Sequence, residues 1–153
     1  MATQRPRPNQ YTPYHAFNFL VQLSNATTVN AGFQEVSGMH IEVTSAEYRV
    51  GNSNVNHPVK VNGAYKVGDV TLKRGLIGAL DLYQLIDGIR TGNHQVQPVV
   101  IQLQDEAHNG PVLTFTLINA RPIKYTAPTF NAKGGTEVAI EELVLSCEDM
   151  TVE

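Results

Sequence analysis

Five histidines, one cysteine, adjacent carboxylates such as Asp105-Glu106 and Glu141-Glu142, and one basic doublet are the residues of this 153-residue chain best equipped for chemistry. His15, His40, His57, His94 and His108 stand far apart, with no pair at helical ligand spacing and no HExxH, so each reads as a turn or strand residue rather than a metal ligand. Asp105-Glu106 and Glu141-Glu142 are adjacent; on strands such neighbours point to opposite faces and do not form a facing acid–base pair. There is no GxSxG elbow, and Gly134-Gly135, which follows Lys133 but precedes a strand, reads as a turn rather than a phosphate loop. Lys73-Arg74 is too small a doublet for a nucleic-acid patch. Cys147 lies on an apolar strand face and reads as a small core residue rather than a nucleophile; as the single cysteine it excludes an internal disulfide and a cysteine-based metal cluster. The expectation is a protein with no catalytic, cofactor-binding or metal site, not an enzyme.

The composition points the same way. Residues 1–153 read as one domain, with Met1–Pro13 a polar, proline-bearing arm that lacks the apolar segment of a secretory signal. No apolar run approaches the roughly 20 residues of a membrane helix, so no membrane insertion is expected of the monomer. A formal charge of -3 and a pI near 5.9 leave no electrostatic footprint for nucleic acid. Charged residues are only 16%, against about 25% in an ordinary soluble domain. Polarity is carried instead by 12 Asn, 9 Gln and 13 Thr. Amides and hydroxyls pair with a neighbour's backbone at lower cost than buried ions, which suits a subunit that contacts copies of itself. Plain β-protein composition accounts for this feature equally well.

Most of the chain has the two-residue period of strands. Phe17, Phe19, Val21 and Leu23 form one apolar row, and Val70 and Leu72 belong to another strand. Val99, Ile101 and Leu103, then Leu113, Phe115 and Leu117, flank the turn signal His108-Asn109-Gly110-Pro111 and predict a hairpin. Ile123–Tyr125 predicts a further short strand between Pro122 and Pro128. In the last strand Val138 and Ile140 share one parity while Leu143, Leu145 and Cys147 share the other; a β-bulge restores the alternation, the alternative being two apolar sets that face different partners. One segment has the helical period: Leu82, Leu85, Ile86 and Ile89, with Asp81 as cap, Arg90 at the dipole's negative end, Gly92 as terminator and Gly88 permitting close packing. The expected fold is mainly β, a barrel or sandwich with one short flanking helix and a long extended hairpin.

That hairpin looks unfinished in a monomer. Ile41–Val50 has two partly apolar faces, Ile41, Val43 and Ser45 against Glu42, Thr44 and Ala46, and the following Gly51–Gly68 is rich in Gly and Asn. A long, weakly amphipathic ribbon is an edge-strand liability unless a neighbouring subunit completes it. The alternative is a plain surface loop.

Several short segments, in order, resemble the T4-like phage tail tube family and the inner tube proteins of extracellular contractile injection systems. They are Tyr11-Thr12-Pro13-Tyr14 before Phe17-Asn18-Phe19, Phe33–Met39, Val70–Leu76, the helix from Asp81-Leu82-Tyr83, Phe115–Pro122 with Asn119-Ala120, and Glu137–Leu143. The resemblance spans about Tyr11–Met150, and Val50–Lys66 is its unmatched middle.

The resemblance implies sixfold rings stacked into a tube that a contracting sheath drives through a target envelope. It implies as partners the chain itself, a sheath protein, baseplate or tube-initiator and terminator proteins, and cargo in the lumen. It implies assembly in the bacterial cytoplasm, as part of a phage tail or of a released phage-tail-like particle. The alternatives are a tube-initiator or baseplate adaptor paralogue and a secreted haemolysin-coregulated-type carrier. The long hairpin supplies the assembly candidates Ile41, Val43, Tyr48, Asn54, Val55, His57, Val59, Val61 and Tyr65. Gly38 is expected to permit a turn or a bulge, with a sheath contact as the alternative. The candidates to line a polar, mildly acidic lumen are Thr44, Gln102 and Gln104, whose faces in the competing reading point out toward the sheath.

Overall fold

The computed structural model describes residues 13–23, 32–76, 80–93, 96–107 and 110–153. Tyr11, Thr12, His94, His108 and Asn109 lie outside them. The strands are β1 (Phe19–Leu23), β2 (Glu35–Ser37), β3 (Ile41–Tyr48), β4 (Val59–Val67), β5 (Val70–Gly75), β6 (Gln97–Gln104), β7 (Pro111–Thr126), β8 (Ile140–Ser146) and β9 (Asp149–Val152). The helix α1 (Asp81–Arg90) lies between β5 and β6. β3 and β4 form a two-stranded sheet of their own, and the other seven strands form one sheet in the order β1-β6-β7-β8-β5-β2, with β9 against β7.

The large sheet wraps because β7 serves both halves. Its first half pairs with β6 and β9, and its second half, from Arg121, pairs with β8. At the corner Asn119 takes a left-handed backbone (φ 54°), a conformation that asparagine tolerates better than most residues. Just beyond it the register slips between Pro122 and Lys124, so the proline, which has no N–H to donate, sits at a bulge. The expected separate strand Ile123–Tyr125 is therefore the far end of one 16-residue strand.

Inward-facing residues of both halves meet in one core: Val21, Val99, Ile101 and Leu117 from the first, Val70, Leu72, Leu143 and Leu145 from the second, sealed by Leu82 of α1. Each such side chain fully removed from water contributes about 1.5–3 kcal/mol. Among the described residues the path does not close: its ends β1 and β2 flank a cleft lined by Ala16, Phe19 and Leu103 on one side and Gln34, Val36 and Met39 on the other. β1 starts later than its apolar row suggested; Phe17 lies outside it, 69% exposed.

Two local expectations are corrected. β8 holds an unbroken register with β5 from Ile140 to Leu145, so the last strand has no bulge. Its inward row is Glu141, Leu143 and Leu145, while Val138 and Ile140 are exposed. The apparent phase slip arose because a carboxylate occupies a core position. In α1 the capping position falls on Leu80, which makes no side-chain cap bond, and Asp81 is the first helical residue. The helix ends as expected: Gly92 (φ 78°) donates to the Ile89 carbonyl, and a Cβ on Gly88 would stand 3.0 Å from the Asn93 oxygen.

Candidate assembly surface

β3 and β4 leave the body as a ribbon. Every side chain of β3, and every one of β4 except that of Val67, is exposed, and the ribbon's main contact with the body is β4 against β9. Two glycines set its root. Gly38, entering β3, has φ 87°, and a Cβ there would lie 2.3 Å from the Asp69 carbonyl oxygen; Gly68, leaving β4, has the His40 ring where a Cβ would be. His40 Nδ1 meets the Gly38 carbonyl at 2.9 Å, and Gly68 N–H donates to the His40 carbonyl at 3.0 Å. Gly38 thus supplies a left-handed backbone where the chain passes close to Asp69, and His40 braces the hairpin root.

Ile41, Val43, Tyr48, Val55, Val59, Val61 and Tyr65 all lie on this hairpin, 46% to 64% exposed. Asn54, Val55 and His57 sit in the tip loop rather than on a strand, because β3 stops at Tyr48 and β4 begins at Val59. The tip is held by local bonds, Ser53 N–H to the Val50 carbonyl (3.0 Å) and Val55 N–H to Ser53 Oγ (3.2 Å). Halfway along the ribbon two residues of β4, Gly63 and Ala64, oppose the single Thr44. Thr44 Oγ1 donates to the Ala64 carbonyl (2.9 Å), and a Cβ on Gly63 would lie 2.6 Å from that hydroxyl. Leaving this much apolar side chain in water is unfavourable for a monomer and marks a contact surface.

The lumen candidates are not brought together. Thr44 is spent on the ribbon's bulge, whereas Gln102 and Gln104 lie on β6 in the large sheet. Gln102 stands between Leu20 and Thr114, on the face opposite the buried Val21 and Ile101, and Thr116 and Thr151 pair along the same face.

A buried ion pair is the element that the sequence reading missed. Arg74 Nε donates to Glu141 Oε1 at 2.6 Å, with the two side chains 1% and 2% exposed. Tyr125 Oη donates to Glu141 Oε2 (2.9 Å), and the guanidinium lies 5.8 Å from the Phe33 ring centre. Burial, then the bond to Glu141 and its charge, push the Tyr125 hydroxyl above its ordinary value. The signal was in the sequence: Val70, Leu72, Arg74 and Glu141, Leu143, Leu145 are two inward rows whose odd members carry opposite charge. Both carboxylate oxygens face donors, which fits a brace between β5, β8 and β7 rather than a free acid or base.

The remaining chemical candidates are dispersed. His15 pairs with Glu106 at 3.3 Å, and His57 lies at the tip. Burial first, with Asp69 and Asp149 adding, pushes the Cys147 thiol up, away from a reactive thiolate. Glu142 points away from the core position held by Glu141, and Gly134 (φ 79°) and Gly135 (φ 158°) follow a turn at residues 132–133. Among the described residues no three His, Cys, Asp or Glu side chains converge as a metal site would require, and no helix is long and apolar enough to cross a membrane.

A wrapped β body bearing an apolar ribbon that its own chain leaves uncovered defines a subunit built to assemble. The family model of the T4-like virus tail tube protein gp19 matches residues 15–151, and the chain belongs to that family. It is similar to a chain of the PVC sheath–tube complex of an extracellular contractile injection system in its extended state, with 26% identity and TM-score 0.82 over 94% of this chain and 93% of that one. It is similar to a chain of the anti-feeding prophage baseplate, six-fold symmetrised, with 31% identity and TM-score 0.79 over 93% and 96%. It is also similar to the cap that terminates the anti-feeding prophage tube, with 25% identity and TM-score 0.83 over 100% and 99%. No curated protein matches. The family and these neighbours are structural tube proteins and components of phage-tail-like particles, not enzymes.

Proposed function

We propose that this chain closes into sixfold rings that stack as the hollow inner tube of a contractile injection particle, and that it has no catalytic role. The observation that carries this reading is the hairpin, whose apolar residues from Ile41 to Tyr65 are exposed in a chain of the tail tube family. Neighbouring copies are the natural cover for a surface that every copy repeats, and rotational repetition of one heterologous contact closes a ring. Among the described residues the large sheet ends at β1 and β2, and such edges are where strands of neighbouring copies in a ring pair.

A sheath surrounds the tube in this reading, with α1 on the outer side, and baseplate and terminator proteins hold the two ends. Assembly takes place in the bacterial cytoplasm before the particle is released. Gln102 and Gln104, with Thr114 and Thr116 on the same sheet face, are the lumen-lining residues, and the net charge of -3 per copy makes the channel mildly acidic for a sliding cargo. Electron microscopy of the purified chain tests the core of the proposal: rings and tubes are expected, and a stable monomer at high concentration with no tubes overturns it. A tube-initiating subunit at the baseplate is the second reading, favoured by the 31% identity to the baseplate chain. Gold labelling of whole particles separates the two: signal along the tube supports the main subunit, and signal at one end supports the initiator.

A further inference from the structure

The apolar residues of the hairpin change sides halfway along it. Directly opposed residues of an antiparallel pair project from the same face. The register Ile41↔Val67 and Val43↔Tyr65 puts those four side chains on one face of the root half, where Val67 is buried by its own chain and the other three are exposed, with Glu42↔Lys66 on the other face. Beyond the bulge, Ala46↔Val61 and Tyr48↔Val59 project from the face of Glu42 and Lys66, while Ser45↔Asn62 and Glu47↔Lys60 take the face of Ile41. The two strands reach this by different routes. In β3 the apolar positions pass from odd to even numbers, and in β4 they stay odd while the extra residue at Gly63-Ala64 turns them over. Both changes fall at the level of Thr44, where Gly63 admits the hydroxyl and a larger residue would not fit without a shift.

A single neighbour laid on either face would cover half of the apolar surface and meet a polar half beside it. The polar halves need no outside charge, since Glu42 opposes Lys66 and Glu47 opposes Lys60. The ribbon and body nevertheless differ in sign. Residues 41–67 hold three cations (Arg49, Lys60, Lys66) and two carboxylates, net +1, whereas the rest of the chain holds eight cations and twelve carboxylates, net -4. Charge complementarity therefore favours the body of another copy over another copy's ribbon.

We propose that each hairpin is gripped by two different copies of this chain at once, its root face against the body of one and its tip face against the body of the other. The proposal rests on the tube reading and deepens it: one ribbon joins two neighbours from opposite sides.

A photo-crosslinking amino acid placed at Val43 or, separately, at Val61 in the purified chain tests this. In assembled material both positions should crosslink to residues outside 41–67 of a second copy, and to different peptides. Crosslinks from both positions to one shared peptide, crosslinks to another copy's residues 41–67, or silence at either position in well-formed tubes overturn the two-neighbour arrangement alone. A wild-type chain that forms no rings or tubes overturns the tube reading as well. Substitution gives a second measure. Val43→Asp and Val61→Asp should each lower the assembled fraction about tenfold or more, since each buries a charge in an apolar contact. Glu47→Gln, on a polar half, should leave that fraction within about twofold. Normal assembly of either aspartate variant overturns the proposal.

Discussion

Val59 and Val70 stand in consecutive strands and meet opposite fates: Val59 is 62% exposed on the ribbon, and Val70 is 0% exposed in the core. The contrast extends to whole regions. In the body the inward strand rows are covered by their own chain, and even a charged pair, Arg74 and Glu141, lies sealed within, while Phe130 and Val138 at its surface stay exposed. On the ribbon, apolar residues keep strand spacing, and all but Val67 are left exposed by their own chain. The proposed tube therefore places stability in the body and assembly in the ribbon. Substitutions in the two regions should act on different measurements.

The largest effect on body stability belongs to the buried pair. Arg74→Ala or Glu141→Ala strands a charge in the core and should cost about 3–5 kcal/mol, read as a lower urea midpoint. The double variant Arg74→Met, Glu141→Leu should recover most of that loss, because neither charge is left alone. If the single variants unfold at the wild-type midpoint, the body does not depend on this brace. Gly38→Ala comes next. It places a Cβ at a left-handed position 2.3 Å from the Asp69 oxygen, and strain of this kind costs about 1–3 kcal/mol. Because Gly38 is the ribbon's root, this variant should also lower assembly, so it links the two regions that the others separate.

What the sequence made legible, and what it hid, follows the same division. The β6–β7 hairpin, the single helix and the ribbon as a distinct element could be read from period and turn residues, since those signals are local. β8 was misread because alternation was scored by hydrophobicity, and Glu141 occupies a core position that a hydrophobic scale assigns to solvent. Its partner Arg74 is 67 residues away, joined only by the pairing of β5 with β8. β7 was cut at Pro122 because proline normally ends a strand; the bulge that tolerates it requires β8 as partner. The assembly candidates were legible as a segment, but their two faces were not. The turnover depends on one extra residue in β4, and that shows only once the register with β3 is known.

Tyr125 offers a finer test of the brace. Its hydroxyl is held above the ordinary value of 10.0 by burial first, then by the bond to Glu141 and its charge. The folded chain keeps this proton to higher pH than the unfolded chain. The contribution is therefore full below about pH 10 and is lost as pH rises through the folded-state value. Tyr125→Phe should cost about 1–2 kcal/mol at neutral pH and flatten the alkaline fall in the urea midpoint. An unchanged alkaline slope in the variant would place the titrating group elsewhere.

The smallest effect on body stability belongs to the ribbon, and it is the most informative. Val59→Ser removes an apolar side chain that its own subunit does not cover, so the urea midpoint of the unassembled chain should move by no more than about 0.5 kcal/mol. Removal of residues 54–62 should likewise leave the β signature in circular dichroism, because the body's core draws nothing from those residues. Both changes should abolish or sharply reduce tubes in sedimentation and microscopy, where the ribbon's side chains gain their cover. A deletion variant that forms normal tubes would return 54–62 to a plain surface loop. A variant that loses its fold would make the ribbon part of the body after all. Only a folded body without tubes keeps the two regions separate.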